Sequence, residues 1–123
     1  MAQAQPPTVF VVDDDEVVRD SLNALLQSRQ FEVVEFPSGR AFLEGADLSA
    51  VSCLIADIHM PEMTGLELLQ TLRERGHEIP TILITGRNDP AIAARARELR
   101  AVALLDKPVP HGLLFGAVEK ALT

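Results

Sequence analysis

The chain has 123 residues, 47% of them apolar and 24% charged, a composition typical of one globular domain and unlike a disordered or fibrous protein. Its formal net charge of −7 gives no general attraction for nucleic acid or anionic lipid, so we expect no direct contact with either. A single cysteine excludes an internal disulfide and a cysteine-based zinc cluster, and the lack of a secretory pattern or of an apolar run of about 20 residues favours a cytoplasmic protein.

The first half of the chain alternates apolar runs with helical spacing. Residues 1–7 (MAQAQPP) are predicted to form a disordered tail before a domain over 8–123. Apolar, β-branched runs at 8–12 and 31–36 predict strands. A helix is predicted between them, and a short helix is predicted to start near Ser38. The apolar stripe of the first helix consists of Val18, Leu22, Leu25 and Leu26.

The second half continues the same alternation. Further strands are predicted at 52–56, 81–85 and 102–105. Thr64 followed by Glu67 is a capping-box pattern at the start of a helix with a Leu68, Leu69 and Leu72 stripe. The next helix is predicted to begin at Asp89 and Pro90. The last has an apolar face made of Leu114, Val118, Ala121 and Leu122.

Five strand–helix units in succession predict an α/β fold: a (βα)5 chain with an open parallel sheet and helices on both faces. The near-continuous apolar character of the strands favours coverage on both sides. Ligands of such sheets bind beyond the carboxyl ends of the strands.

Chemically useful residues follow four of the five strands. They are Asp13, Asp14 and Asp15 after the first strand, Asp57 after the third, Thr85 and Gly86 after the fourth, and Lys107 after the fifth. If the first and third strands are neighbours, Asp13, Asp14 and Asp57 converge, and Thr85 and Lys107 line the other side. A cluster of oxygen ligands suits Mg²⁺, which offsets the repulsion between the carboxylates.

Each element also has a purely structural interpretation. Aspartates before a helix favour its N-terminus, and Asp57 could cap a loop. A Thr-Gly pair is often a turn, and a Lys-Pro pair often starts a loop. Four strands ending in complementary groups favour a functional site.

Phosphoryl transfer is the chemistry that such a set could perform. Asp57 is a carboxylate nucleophile able to form an aspartyl phosphate. Lys107 would supply a cation for phosphoryl oxygens, Thr85 would donate a hydroxyl hydrogen bond, and Gly86 leaves room for approach.

The segments VVDDDE, IADIHMPEMTGLELL, PTILITG and LLDKP together resemble the receiver domain of bacterial two-component response regulators, the CheY-like superfamily. The resemblance extends from Val9 to about Leu122. It implies a flavodoxin-like three-layer sandwich with strand order 2-1-3-4-5. It also implies phosphorylation by a sensor histidine kinase or a histidine phosphotransfer protein, and a downstream effector or an output domain that could control transcription.

The resemblance assigns roles by position. Asp57 corresponds to the phospho-acceptor, Thr85 to the switch hydroxyl and Lys107 to the phosphate-binding lysine. The resemblance implies that Asp14, Asp57 and the backbone carbonyl of His59 are ligands of Mg²⁺. Asp13 would contribute through a water molecule.

Three positions depart from the family pattern. Leu104 stands where a switch Tyr or Phe is usual, Arg100 where Gly is common, and Val109 where Phe is frequent. They surround the face formed by the fourth helix, the fifth strand and the fifth helix, which many receivers use to dimerise or to engage their output. The resemblance therefore predicts phosphorylation more firmly than the usual output mechanism.

His59 and Arg87 lie two residues beyond Asp57 and Thr85, where the family tunes the lifetime of the phosphoryl group. One hypothesis is that both side chains shield the phosphoaspartate. The other is that they are solvated loop residues.

Three other functions are alternatives to the receiver. A dehalogenase-like phosphatase would match Asp13 and Asp15, but Val17 replaces its Thr and the chain is short for it. A flavin- or nucleotide-binding relative would need Gly, Ser or Thr after the first strand. A degenerate receiver that acts only as a protein-interaction module is the main alternative. Neither a phosphorylated receiver nor a degenerate one would be a turnover enzyme.

Overall fold

A computed structural model describes residues 7–123 of the chain. Residues 1–6 of the predicted tail lie outside this range, and the carbonyl of Pro7 accepts a hydrogen bond from the Glu32 amide. The strands are β1 Thr8–Val12, β2 Glu32–Phe36, β3 Cys53–Asp57, β4 Thr81–Thr85 and β5 Ala103–Asp106. The helices are α1 Glu16–Gln27, α2 Gly39–Gly45, α3 Gly65–Glu74, α4 Pro90–Glu98 and α5 His111–Leu122, with an unpredicted 3₁₀ turn at Leu48–Ala50.

All strands are parallel and lie in the order β2-β1-β3-β4-β5. The α/β class and the flavodoxin-like order are therefore confirmed. β1 pairs with β3 from Val9–Cys53 to Val12–Ala56, so the residues that follow both strands meet at one edge of the sheet. Five predicted boundaries in three strands were wrong by one residue. β2 starts one residue later, at Glu32, and both ends of β3 and of β5 lie one residue later, at Cys53–Asp57 and Ala103–Asp106.

The helices form one layer on each face of the sheet. One core cluster joins the sheet to α2, α3 and α4, and the other joins it to α1 and α5. The interior strands β1, β3 and β4 are buried almost throughout, as predicted. The expectation of two-sided burial was wrong for β2 and β5, which are partly exposed because they are the edge strands.

Local sequence signals place the helix starts. Asp15 caps α1 through the Val17 amide, at 2.9 Å. Thr64 and Glu67 form both hydrogen bonds of the predicted capping box, and Asp89 caps α4. These bonds satisfy amides that have no partner within the helix. Of the helices in residues 7–123, none is long and apolar enough to cross a bilayer.

Cys53, the only cysteine of the chain, is fully buried in the central strand β3. Burial raises the pKa of its thiol to about 12, because a thiolate would lose its hydration there. The thiol therefore stays protonated and packs as a small apolar side chain.

Candidate functional site

Three carboxylates meet at the carboxyl edge of the sheet, where the sequence predicted them. One oxygen of each of Asp13, Asp14 and Asp57 lies within 4.8 Å of the others. Asp13 is 3% exposed and Asp57 5% exposed, whereas Asp14 faces solvent. Two buried carboxylates and one open carboxylate form a site that a hydrated cation could reach from outside.

Lys107 supplies the only positive charge that forms an ion pair with these carboxylates among the described residues. Its Nζ lies 3.4 Å from Asp57 Oδ1 and 3.9 Å from Asp13 Oδ2. The 3.4 Å contact lacks hydrogen-bond geometry, so the buried Asp57 Oδ1 has no hydrogen-bond partner in residues 7–123. Burying a charged oxygen without a partner is costly, and a hard cation or an incoming phosphorus atom would relieve that cost. The donor set therefore fits Mg²⁺.

Thr85 is fully buried at the end of β4, and its hydroxyl has two neighbours. Oγ1 lies 2.8 Å from His59 Nε2 and accepts a hydrogen bond from the Arg87 amide at 3.0 Å. The sequence placed Thr85 at this edge but did not predict its contact with His59. His59 is thus an exposed residue, and one of its ring nitrogens is hydrogen-bonded to Thr85. Arg87 is also exposed.

A family model described as the response regulator receiver domain matches residues 9–119 of the chain. The chain belongs to this family. Receiver domains are signal-transduction modules of two-component response regulators.

Two curated relatives and one solved structure give the degree of similarity. The transcriptional regulatory protein FixJ of Bradyrhizobium diazoefficiens is 36% identical over 114 residues, which cover 93% of this chain and 56% of FixJ. The response regulator protein TodT of Pseudomonas putida is 39% identical, over 93% of this chain and 50% of TodT. The structure of the response regulator StyR superposes with a TM-score of 0.89 at 40% identity, over 96% of this chain and 60% of StyR. This receiver therefore spans about half the length of the curated relatives that it matches.

The buried Asp13 carboxyl of the receiver has a raised pKa. Loss of hydration is the largest cause, and repulsion from Asp57 and Asp14 adds to it. The Asp15 amide, which donates to Asp13 Oδ1 at 2.9 Å, and the Lys107 ammonium lower the pKa but do not cancel the rise. The ionised form of Asp13 is therefore destabilising in the metal-free protein.

We expect Asp13→Asn to stabilise the metal-free receiver at neutral pH, because the amide carries no charge that burial would desolvate. Because the folded pKa is raised above the ordinary 3.8, the folded state holds the proton more tightly than the unfolded state. The wild-type free energy of unfolding therefore falls as pH rises from about 4 through the folded pKa. Thermal unfolding in EDTA, followed by circular dichroism at neutral pH and near pH 3, checks this. The stabilisation should vanish at the acidic pH, and a variant less stable than wild type at neutral pH would contradict the prediction.

The backbone of Gly65 lies directly against the strand end that bears Asp57, which the sequence did not reveal. A Cβ at this position would lie 2.4 Å from the Asp57 carbonyl oxygen and 3.1 Å from the Ile58 Cα. The Gly65 amide donates to the Ile58 carbonyl at 3.0 Å. The start of α3 is thus held directly against the strand end that bears Asp57.

Two further predicted positions have more open surroundings. A Cβ at Gly86 would come no closer than 3.9 Å, to Lys107 Cδ, so there is space beside the lysine. Leu104 packs against the core that includes α4. It also lines a hollow of about 350 Å³ with Ala93, Ala96, Ala101 and Ala103, among others. Four of its seven lining residues are alanines.

On the side of Lys107 that faces α1 and α5, an open groove has a volume of about 900 Å³. It explains why three residues of the α1 stripe, Val18, Leu22 and Leu25, are only half-buried while Leu26 is fully buried. The apolar stripe predicted α1 correctly, but it did not predict that a groove would separate part of this helix from α5.

Proposed function

We propose that this receiver accepts a phosphoryl group on Asp57 from a histidine kinase or a histidine phosphotransfer protein, and that phosphorylation changes its protein-binding surface. The observation that carries the proposal is the buried Asp57 Oδ1, which has no hydrogen bond and lies 3.4 Å from Lys107 Nζ. A carboxylate oxygen used only for structure would be hydrogen-bonded.

In the proposed transfer, a carboxylate oxygen of Asp57 attacks the phosphorus atom of a phosphohistidine. An O–P bond forms as the P–N bond breaks, and the donor imidazole leaves with the electron pair of that bond. Burial limits the access of water to Asp57 and preserves its nucleophilicity. Lys107 would bind a phosphoryl oxygen and compensate for the added negative charge.

Asp13, Asp14, Asp57 and the backbone carbonyl of His59 are the proposed ligands of Mg²⁺. When bound, the ion would neutralise charge shared between the carboxylates and the phosphoryl group. The protein's own part is to hold Asp13 and Asp57 in fixed, buried positions while Asp14 remains open to solvent.

After transfer, Thr85 would donate its hydroxyl hydrogen to a phosphoryl oxygen. The hydroxyl now forms a hydrogen bond with His59 Nε2, at 2.8 Å, so His59 lies beside the group that would reorient. The loop after β4 would then move with Thr85, because the Arg87 amide is bonded to the same hydroxyl.

The test is the intact mass of the receiver after incubation with Mg²⁺ and a small phosphodonor. We expect one phosphoryl adduct, dependent on Mg²⁺ and absent from Asp57→Asn. Asp89→Asn, at an exposed helix cap, is the matched control and should be labelled like wild type. No adduct under conditions that label an ordinary receiver would favour the alternative of a phosphorylation-independent interaction module.

His59→Ser combined with Arg87→Ser should shorten the lifetime of the phosphorylated protein by up to about 10-fold, which corresponds to about 1.4 kcal/mol of barrier. In the wild-type protein, the His59 imidazole, which lies beside Thr85, and the Arg87 guanidinium would restrict the approach of water to the phosphoaspartate. Decay of the phosphorylated mass after removal of the donor measures this effect. His77→Ser is the control, and an unchanged decay rate in the double variant would favour the view of both as solvated side chains.

The partners and output are also proposals. This receiver covers 56% of the relative named transcriptional regulatory protein FixJ, so we propose an output domain that controls transcription as one effector. We propose that the face formed by α4, β5 and α5 engages the effector or a second copy, with Leu104 moving into the adjoining hollow in place of an aromatic ring. A cytoplasmic location would follow from this role.

A further inference from the structure

Arg19 on α1 connects three parts of the receiver next to the carboxylates. Its Nη1 donates to the backbone carbonyl of Asp13 at 2.6 Å. Its Nε lies 3.6 Å from Oε1 of Glu35 on β2, and Glu35 also accepts a hydrogen bond from the Asn23 side chain. The Arg19 side chain is only 14% exposed, so its guanidinium is held between the helix and the sheet.

The carbonyl that Arg19 binds belongs to the peptide unit between Asp13 and Asp14. Because a peptide unit is planar, fixing its oxygen orients the Cα atoms of both residues. The other side of Asp13 is also held, since its amide donates to the Phe36 carbonyl at 3.2 Å. The backbone that carries two of the proposed metal ligands is thus held by β2 on one side and by Arg19 on the other.

We infer that Arg19 is a positioning residue for Mg²⁺: it holds the Asp13–Asp14 peptide so that both carboxylates face the ion. This inference rests on the proposed metal role of the site. Arg19 contacts neither the phosphoryl group nor the ion in this assignment, and it acts through the main chain of the ligands. Residues that orient metal ligands from outside typically change metal affinity by about 10- to 100-fold when removed.

Positioning and simple electrostatics predict opposite results for Arg19→Gln. As a positive charge near a cation site, Arg19 would repel Mg²⁺, so its removal would tighten binding. As a positioning residue, its removal would weaken binding. Arg19→Lys retains the charge but lacks the planar fork that contacts the Asp13 carbonyl and Glu35 together. Positioning therefore predicts weaker binding in Arg19→Lys, whereas electrostatics predicts no change.

The experiment is a Mg²⁺ titration of the 123-residue chain, followed by the NMR shifts of the Asp14 and Asp15 amides. The chain has no Trp or Tyr, so intrinsic fluorescence offers no strong signal. We expect Arg19→Gln to weaken Mg²⁺ binding about 10-fold, and Arg19→Lys to weaken it as well. Arg40→Gln, an identical change at an exposed arginine of α2, should leave affinity unchanged. Thermal unfolding of each variant in EDTA separates loss of stability from loss of affinity.

Equal or tighter binding by folded Arg19→Gln would overturn the inference and leave the proposed function intact. So would a variant that is less stable but binds Mg²⁺ as wild type does, since Arg19 would then only join α1 to β2. A wild-type chain that does not bind Mg²⁺ would instead overturn the metal step of the proposed function, and the inference with it.

Discussion

Gly65→Ala is expected to lower the free energy of unfolding of the receiver by about 3 kcal/mol or to prevent folding. The added methyl group would lie 2.4 Å from the Asp57 carbonyl oxygen and 3.0 Å from its carbon. Both are backbone atoms of the central strand β3, so no side-chain rotation can relieve the overlap. The start of α3 would have to move away, which would break the bond from the Gly65 amide to Ile58.

Urea unfolding followed by circular dichroism measures this loss. Gly116→Ala is the matched control, because a Cβ there meets no atom within 4 Å and the position is an exposed helix interior. The same substitution should raise stability by about 0.5–1 kcal/mol at Gly116. A Gly65 variant as stable as wild type would show that α3 can shift away from β3 at little cost.

Arg73→Met is expected to cost about 3 kcal/mol of stability. The Arg73 side chain is 10% exposed, and it forms a long ion pair with Glu78, at 3.9 Å. Within residues 7–123, every hydrogen bond of its guanidinium goes to a backbone carbonyl. The acceptors are Leu99 at 3.0 Å, His77 at 3.0 Å, Ile79 at 3.1 Å and Arg100 at 3.3 Å. Burial lowers the pKa of Arg73, an effect partly offset by Glu78. Removing the guanidinium would take this donor from the carbonyls of His77, Leu99 and Arg100. The Ile79 carbonyl would keep its bond from the Thr81 hydroxyl, at 2.9 Å.

Arg73→Lys should recover only a small part of this loss, because one ammonium group cannot reach carbonyls that a planar fork contacts together. Arg75→Met, at an exposed position on the same helix end, is the control and should change stability by less than about 0.5 kcal/mol. Denaturation midpoints and slopes of the three variants provide the comparison. If Arg73→Met and Arg75→Met lost equal stability, the carbonyl contacts would contribute nothing measurable.

The fold and the carboxylate cluster were predictable because they depend on short-range signals and on topology. Thr64 with Glu67 and Asp89 with Pro90 mark helix starts through bonds to near neighbours. Parallel strands bring their carboxyl ends to one edge, which is sufficient to place Asp13 near Asp57.

The contacts of Thr85, Arg19 and Arg73 were not predictable, because each includes a partner that is distant in sequence. These partners are His59 for Thr85, Glu35 for Arg19 and Leu99 for Arg73. His59 and Thr85, for example, meet only after β3 and β4 have paired. Arg100 shows another limit: the family commonly has Gly there, and the structure shows why, since Arg100 adopts a left-handed backbone with φ of 61°. Its side chain forms an ion pair with Glu78 at 3.2 Å, a contact that glycine could not make.

The pairing of β1 with β3 has a consequence for how fast the receiver folds. These strands are separated in the chain by β2 and two helices, so their union closes a long loop and belongs to the slow, non-local events of folding. The same event brings Asp13 against Asp57, so electrostatic repulsion adds to the entropic barrier of loop closure. Acidic pH would lower that part of the barrier, and so would the Mg²⁺ binding proposed above. We therefore expect the refolding rate to depend on both.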